Sequence, residues 1–387
     1  MNVLVNGISA KVGGGLSILN SFLDWLVESN IHPSIRWIVV VPESFNTSKF
    51  INCAGLTFVS IGLMSKKSFL PLTHAWSIPN IVSNHAVHAV LNFSDLPVRT
   101  KASQLQLFDW PYPLFPDFQL WKLGGIKHLL LRIIKLTYLK VTASYVDLYI
   151  LQGVSMGKRF ECFYPGARYK LMPSPFKIIQ NIKSNFDASQ FLKRDLLCLS
   201  AYYPHKNLEI LIEASKILLK NNVQTRFILT LNETDRSVKK ILSKIREAGV
   251  DQYFHNIGVV DRSDVPIIFK QVEALILPTR METFCLPLYE AMSHGLPVLV
   301  SDIDFAHDAC GESGWYFDPT SAEAIAECIV SFFSEGAKSK EMVALGLNRS
   351  ASLPTPKQVH DFYLKEIMIL IDQNSVFQDE FIKNTNK

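Results

Sequence analysis

Strand-like apolar runs alternate with helical patterns from one end of this chain to the other, and that alternation limits the fold more than any other feature. A strand that passes into a helix and then into another strand builds a parallel sheet covered by helices. Strands are expected over 2–6, 35–41, 56–61, 89–92, 104–108 and 148–151, with a helical pattern over 16–26. A second series follows, with strands over 196–200, 226–231, 274–277 and 297–301 and helices over 207–220, 236–248 and 322–333. Polar, Pro-containing sequence over 176–194 separates the two series and reads as a linker. The expected organisation is an α/β domain over 1–175, the linker, a second α/β domain over 195–355, and a last amphipathic helix over 356–375 with a frayed polar tail. The 387 residues leave room for two separate cores.

The composition, 48% hydrophobic and 19% charged, is apolar for a soluble chain, yet no window holds the uninterrupted apolar run of about 18 residues that spans a bilayer. Met1-Asn-Val-Leu-Val-Asn-Gly7 enters a strand directly, with neither a basic start nor a small-residue cleavage site, which argues against secretion. Cysteines 53, 162, 198, 285, 310 and 328 are scattered without a C-x-x-C pair. That pattern suits reduced thiols in a cytoplasmic protein rather than disulfides or zinc. A formal charge of +4 is too mild to argue for nucleic acid.

The densest signal is Arg280-Met-Glu-Thr-Phe-Cys-Leu-Pro-Leu-Tyr-Glu-Ala-Met-Ser-His-Gly295, followed by a strand-like Leu-Pro-Val-Leu-Val. Pro287 suits a first helical turn, where its missing N–H would have been unpaired anyway. Gly295 suits a left-handed helix stop. A helix is therefore expected to start near Leu286, with Glu282 in the loop before it and Glu290 in its first turns. The amides of Phe284, Cys285 and Leu286 would then face outward as an anion site. Carboxylates are poor phosphate ligands but accept hydrogen bonds well from sugar hydroxyls. The unit reads as a nucleotide-sugar pocket.

This stretch resembles the E-x7-E signature of family 4 retaining glycosyltransferases. The resemblance continues into Gly311-Glu-Ser-Gly-Trp-Tyr-Phe-Asp-Pro319 and back to Pro204-His-Lys-Asn207. It implies the GT-B fold: two Rossmann-like domains with parallel sheets facing a central cleft, and a last helix crossing back to the first domain. It also implies retaining, metal-independent hexose transfer from a nucleotide sugar, with front-face departure of the diphosphate and no cofactor. No Asp-x-Asp metal motif stands out. By the resemblance, Glu290 accepts hydrogen bonds from the donor ribose, Glu282 lies near the sugar, and Lys206 contacts the donor phosphates. The Gly-Val-Val segment around Val259 holds the base through its backbone. Lys206 also lies between a strand end and a helix start, where open α/β sheets bind ligands. An exposed helix-start lysine is the plain alternative. The arginine usual five residues earlier in the family is Ala201 here; either the backbone amides and Lys206 suffice, or another cation such as Arg280 or Arg262 substitutes. Both glutamates are expected to be ionised, helped by Lys206 and the helix terminus.

In the first half, Val12-Gly13-Gly14-Gly15 is expected as a glycine-rich turn after the first strand, either a plain turn or close backbone for a ligand, with Lys11 adding charge. The resemblance places this loop at the donor diphosphate and the acceptor. Asp109, in Phe108-Asp109-Trp110-Pro111, is either an acceptor-side base or a structural cap, and the histidine frequent here in the family is missing. From Phe118 through Val146 there is no acidic residue, while Lys122, Lys127, Arg132, Lys135 and Lys140 interleave with apolar positions at helical spacing. The segment 121–140 reads as a core helix with one solvated basic face or as a basic amphipathic helix on an anionic membrane. In the second case the acceptor would be lipid-linked, the setting bacterial surface polysaccharide such as O-antigen, and the enzyme peripheral on the inner face of the plasma membrane. A sugar-nucleotide epimerase and an inactive GT-B scaffold are the rival readings.

Overall fold

In the computed structural model, residues 1–11, 13–29, 34–50, 53–66, 68–178 and 187–385 are described. Val12 and positions 179–186 of the expected linker lie outside them. The chain forms two compact units, Met1–Phe176 with Pro354–Lys387, and Lys177–Leu353.

The first unit is built on a seven-stranded sheet. Its strands are β1 (Asn2–Asn6), β2 (Arg36–Pro42), β3 (Leu56–Ile61), β4 (Ala89–Asn92), β5 (Ser103–Leu107), β6 (Leu148–Leu151) and β7 (Tyr169–Leu171). Their order is β3-β2-β1-β4-β5-β6-β7 and every pairing is parallel. The apolar runs that predicted β1, β2, β4, β5 and β6 are buried on both faces, as parallel strands under helices must be, whereas β3 at the sheet edge is only partly buried. The helix Gly13–Glu28 sets Leu19, Phe22 and Leu23 on the sheet. From the far end of the chain, Val359, Tyr363, Ile367 and Leu370 of the helix Pro356–Thr385 join the same core. That helix runs past the end expected near 375.

The second unit has six strands: β8 (Asp195–Cys198), β9 (Arg226–Leu229), β10 (Phe254–Asn256), β11 (Ala274–Leu277), β12 (Val298–Ser301) and β13 (Gly314–Phe317). The order β10-β9-β8-β11-β12-β13 is again all parallel. Asp195, fully buried at the start of β8, takes a bidentate guanidinium from Arg226 of β9 at 2.9 and 2.7 Å. Such a fork satisfies both carboxylate oxygens at once. Both sheets change direction beside their first strand, at β1/β4 and at β8/β11. At such a switch point neighbouring loops diverge, and ligands bind outside the carboxyl ends of the strands.

Two expectations for the first unit need correction. Gly13, Gly14 and Gly15 do not form a turn ahead of the helix but its first turn, with Gly13 at φ +66°. Lys11 is turned away to the carbonyl and hydroxyl of Ser65, at 2.8 and 3.1 Å. The basic stretch forms the helices Phe118–Lys122 and Ile126–Thr142, but its basic residues do not share one solvated face: Lys122, Lys127 and Lys140 are exposed, whereas Arg132 and Lys135 are partly buried. Arg132 donates to the carbonyls of Trp121 and Leu123 and to the Tyr112 hydroxyl, and lies 4.0 Å over the Tyr112 ring. Lys135 pairs with Asp95 and sits 4.1 Å over the Trp110 ring. The Trp121 indole donates to the carbonyls of Tyr112 and Phe115 at 3.1 Å each. No helix among the described residues is long and apolar enough to cross a membrane.

Candidate active site

Beyond the carboxyl end of β8 the chain turns through Pro204–Lys206 and reaches Asn207, which adopts the left-handed conformation (φ +59°). The Asn207 amide donates to the carbonyls of Pro278 (3.1 Å) and Pro319 (2.8 Å). One side chain thus ties together the loops that leave β8, β11 and β13. The Arg280 amide adds a bond to the His205 carbonyl at 2.8 Å. Side chains on these loops are held in fixed register at the switch point.

The outcome is an ion pair between Lys206 and Glu282, residues from the loops after β8 and β11. Each side chain keeps 15% of its surface exposed. The Thr279 hydroxyl donates to the same carboxylate oxygen, Oε1, at 3.1 Å. Burial opposes charge on both partners, but their mutual attraction prevails. The Glu282 carboxyl is held below the usual carboxylate range and the Lys206 ammonium above its own. Lys206 has three N–H donors, and Glu282 takes one of them. Among the described residues, Oε2 of Glu282 has no hydrogen-bond partner.

Met281, Phe284 and Cys285 are buried, and Cys285 enters the helix Leu286–Ser293 from the left-handed region (φ +59°). Pro287 occupies the first turn and Gly295 stops the helix at φ +69°. The Phe284 ring stacks on Tyr289 at 4.5 Å and so fixes the helix entry. Glu290 lies on this helix, and its Oε1 accepts from Arg262 at 2.9 Å. Lys206 supports ionisation of Glu282, as expected, but Glu290 has Arg262 rather than Lys206 as its cation. Burial raises the Glu290 carboxyl above its usual range, with the Arg262 guanidinium pulling the other way. Arg262 follows Gly258 (φ +79°) and the well-exposed Val259 on the loop after β10. Neither ion pair was legible beforehand, because 76 and 28 residues separate the partners.

The other expected site residues lie in the first unit. An added Cβ at Gly13, Gly14 or Gly15 would meet no atom within 4 Å, so packing within the unit does not demand glycine there. Asp109 follows β5 and bears electrostatically on the buried Tyr363 hydroxyl. At the β1/β4 switch point there is a polar network that sequence reasoning missed. The Asn6 amide donates to Asn92 Oδ1 (2.9 Å) and to His74 Nε2 (3.1 Å), while Asn92 donates to the Leu96 carbonyl (2.8 Å). His74 donates through Nδ1 to the Leu70 carbonyl at 2.8 Å, so its Nε2 is the acceptor and the ring is neutral. Polar residues ending two neighbouring apolar strands, Asn6 and Asn92, were the available signal. Among the described residues no group of three or more His, Cys, Asp or Glu could hold a metal ion.

Comparison with known proteins bears on the second unit directly. Residues 183–348 match the family model for "Glycosyl transferases group 1". This part of the chain is therefore similar to group 1 glycosyl transferases. The matched stretch contains Lys206, Glu282 and Glu290. The "O-antigen chain mannosyltransferase B" of Escherichia coli is 27% identical over 152 residues, 39% of this chain and 40% of that relative. The "O-antigen chain mannosyltransferase RfbU" of Salmonella typhimurium is 25% identical over 139 residues, 35% of this chain and 38% of the relative. The chain thus matches about two fifths of the length of these curated relatives. The solved structure of Anabaena Alr3699/HepE in complex with UDP-glucose aligns with TM-score 0.71 and 16% identity, covering 95% of this chain and 99% of the other. The fold is GT-B, with one parallel α/β sheet in each unit.

Proposed function

We propose that this chain is a retaining, metal-independent glycosyltransferase. It would move a hexose from a nucleotide sugar to a lipid-linked saccharide during surface polysaccharide synthesis, at the cytoplasmic face of the membrane. The names of the relatives favour mannose as the hexose. The observation that carries the reading is the Lys206–Glu282 pair beyond the carboxyl ends of β8 and β11, inside the stretch similar to group 1 glycosyl transferases.

The chemistry follows from charge. As the glycosidic bond breaks, the departing diphosphate gains negative charge, and a fixed ammonium stabilises that state more than the ground state. Lys206 keeps donors for the phosphates while Glu282 orients it. Oε2 of Glu282 accepts from a sugar hydroxyl, and Oε2 of Glu290 from the ribose. Phe284, Cys285 and Leu286 present backbone amides toward the diphosphate, and Val259 presents its backbone to the base. The leaving phosphate oxygens take the acceptor proton, and no side-chain nucleophile takes part. In the first unit, Gly13, Gly14 and Gly15 are assigned to substrate contact through open backbone and Asp109 to the acceptor hydroxyl.

Thermal shift over a panel of nucleoside diphosphates tests donor use, since a ligand of the folded form raises the melting temperature. With the responding nucleotide, Glu290→Ala is expected to weaken binding by about tenfold, the scale of one lost hydrogen bond to a charged group. Unchanged affinity in calorimetry removes Glu290 from the ribose. Because burial already raises the Glu290 carboxyl, wild-type affinity is also expected to fall as the pH drops toward its titration.

A further inference from the structure

The helix Ile126–Thr142 carries apolar side chains on two sides. Leu139 is fully buried and Leu129, Leu131 and Leu136 are partly buried, and Arg132 and Lys135 also turn into the first unit, yet a second set of large apolar side chains points out. Ile126 is 72% exposed, Leu130 53%, Ile133 44%, Ile134 55% and Val141 73%. At 3.6 residues per turn these five positions, with exposed Thr137 among them, form one stripe roughly 100° wide and about 20 Å long. Single exposed apolar residues are ordinary, but a continuous stripe marks a surface that is covered in use.

The same helical geometry places exposed Lys127 along one border of the stripe and exposed Lys140 along the other. Just before the helix, exposed Phe118 carries Lys122 4.3 Å over its ring. No carboxylate occurs between Phe118 and Val146. A second copy of this helix packed on the stripe would set lysines against lysines with no acid on either helix to answer them. An anionic lipid surface matches both components, with apolar side chains entering the acyl boundary and lysines meeting the headgroups. We infer that the Ile126–Thr142 helix is a membrane-docking face, through the Ile126, Leu130, Ile133, Ile134 and Val141 stripe and its lysine borders. Docking rests on this surface and not on the transfer reaction proposed above.

The test is sedimentation of the full chain with phosphatidylcholine vesicles, with and without phosphatidylglycerol. Wild-type protein is expected to pellet with the anionic vesicles, and less so at high salt. The Leu130→Gln/Ile133→Gln/Ile134→Gln variant should lower the partition coefficient by at least about tenfold, the effect of removing three interfacial apolar anchors. Lys127→Gln/Lys140→Gln should weaken binding and flatten its salt dependence. All five side chains are exposed, so unchanged melting temperatures are expected, and nucleotide-induced thermal shifts should persist in both variants. The inference is overturned if wild-type protein stays in the supernatant or the triple variant pellets undiminished. Stripe-dependent dimerisation without vesicle binding overturns it equally, in favour of a second copy.

Discussion

Lys206→Ala is expected to lower turnover by roughly a hundredfold, the scale of losing one transition-state charge contact. It should also destabilise the second unit by about 3 kcal/mol. The second effect arises because, among the described residues, Glu282 would keep only Thr279 as a side-chain hydrogen-bond partner while largely buried, and a buried carboxylate stripped of its cation is costly. The two effects can be separated. Lys206→Met/Glu282→Gln replaces the pair with neutral groups of similar shape and should recover most of the stability while leaving turnover low. Urea unfolding gives the first quantity and donor hydrolysis or transfer the second. If the double variant regains stability and also turns over at a near wild-type rate, the cation that stabilises the leaving diphosphate lies elsewhere.

The second large effect concerns acid. His74 and His360 are fully buried in the first unit, and burial lowers the pKa of each to about 4. For His74, Asp95 raises and Lys135 lowers the value to smaller degrees, and for His360 Asp361 raises it. Protonating His74 would aim a new Nε2–H at the Asn6 amide, itself a donor. Nε2 of His360 lies 2.9 Å from the Ser21 hydroxyl, among the rings of Phe22, Trp25 and Tyr363. Among the described residues its Nδ1 has no hydrogen-bond partner, so a proton there would be an unsatisfied buried donor. An unfolded histidine titrates near 6.5, so the unfolded chain binds more protons below that value. The stabilisation from keeping these rings neutral is complete above pH 6.5 and is lost progressively as the pH falls toward 4. Each site accounts for roughly 3 kcal/mol across that window, a large part of the stability of a typical domain. Thermal unfolding at pH 7.5 and 4.5 should show a steep loss. His360→Phe, which keeps the ring packing and cannot titrate, should flatten that loss by about half. An unaltered pH slope in the variant would remove His360 from the account.

Local signals carried much of the architecture. Apolar runs of four to six residues predicted β1, β3, β4, β6 and β11 to the residue because both faces of those strands or their neighbours are covered, leaving no polar alternation to blur the ends. Pro287 and Gly295 marked the helix that carries Glu290 for reasons internal to that helix. The strands β7, β10 and β13 escaped notice. They are only three or four residues long, too short for a period to show.

Chain order and hydrophobic period therefore determined the doubly wound α/β class, the division into two series and the turn that presents Glu282. Which groups meet was decided only by tertiary structure. Lys206 finds Glu282, Arg262 finds Glu290, and Arg132 finds Tyr112 across loops and helices that periodicity does not relate. The Ile126–Thr142 helix makes the reason plain. Its sequence defines two faces, but the interior is chosen by what can compensate each of them. Asp95, Tyr112 and Trp110 compensate Arg132 and Lys135, so these two cations turn inward while the apolar stripe and its bordering lysines face out.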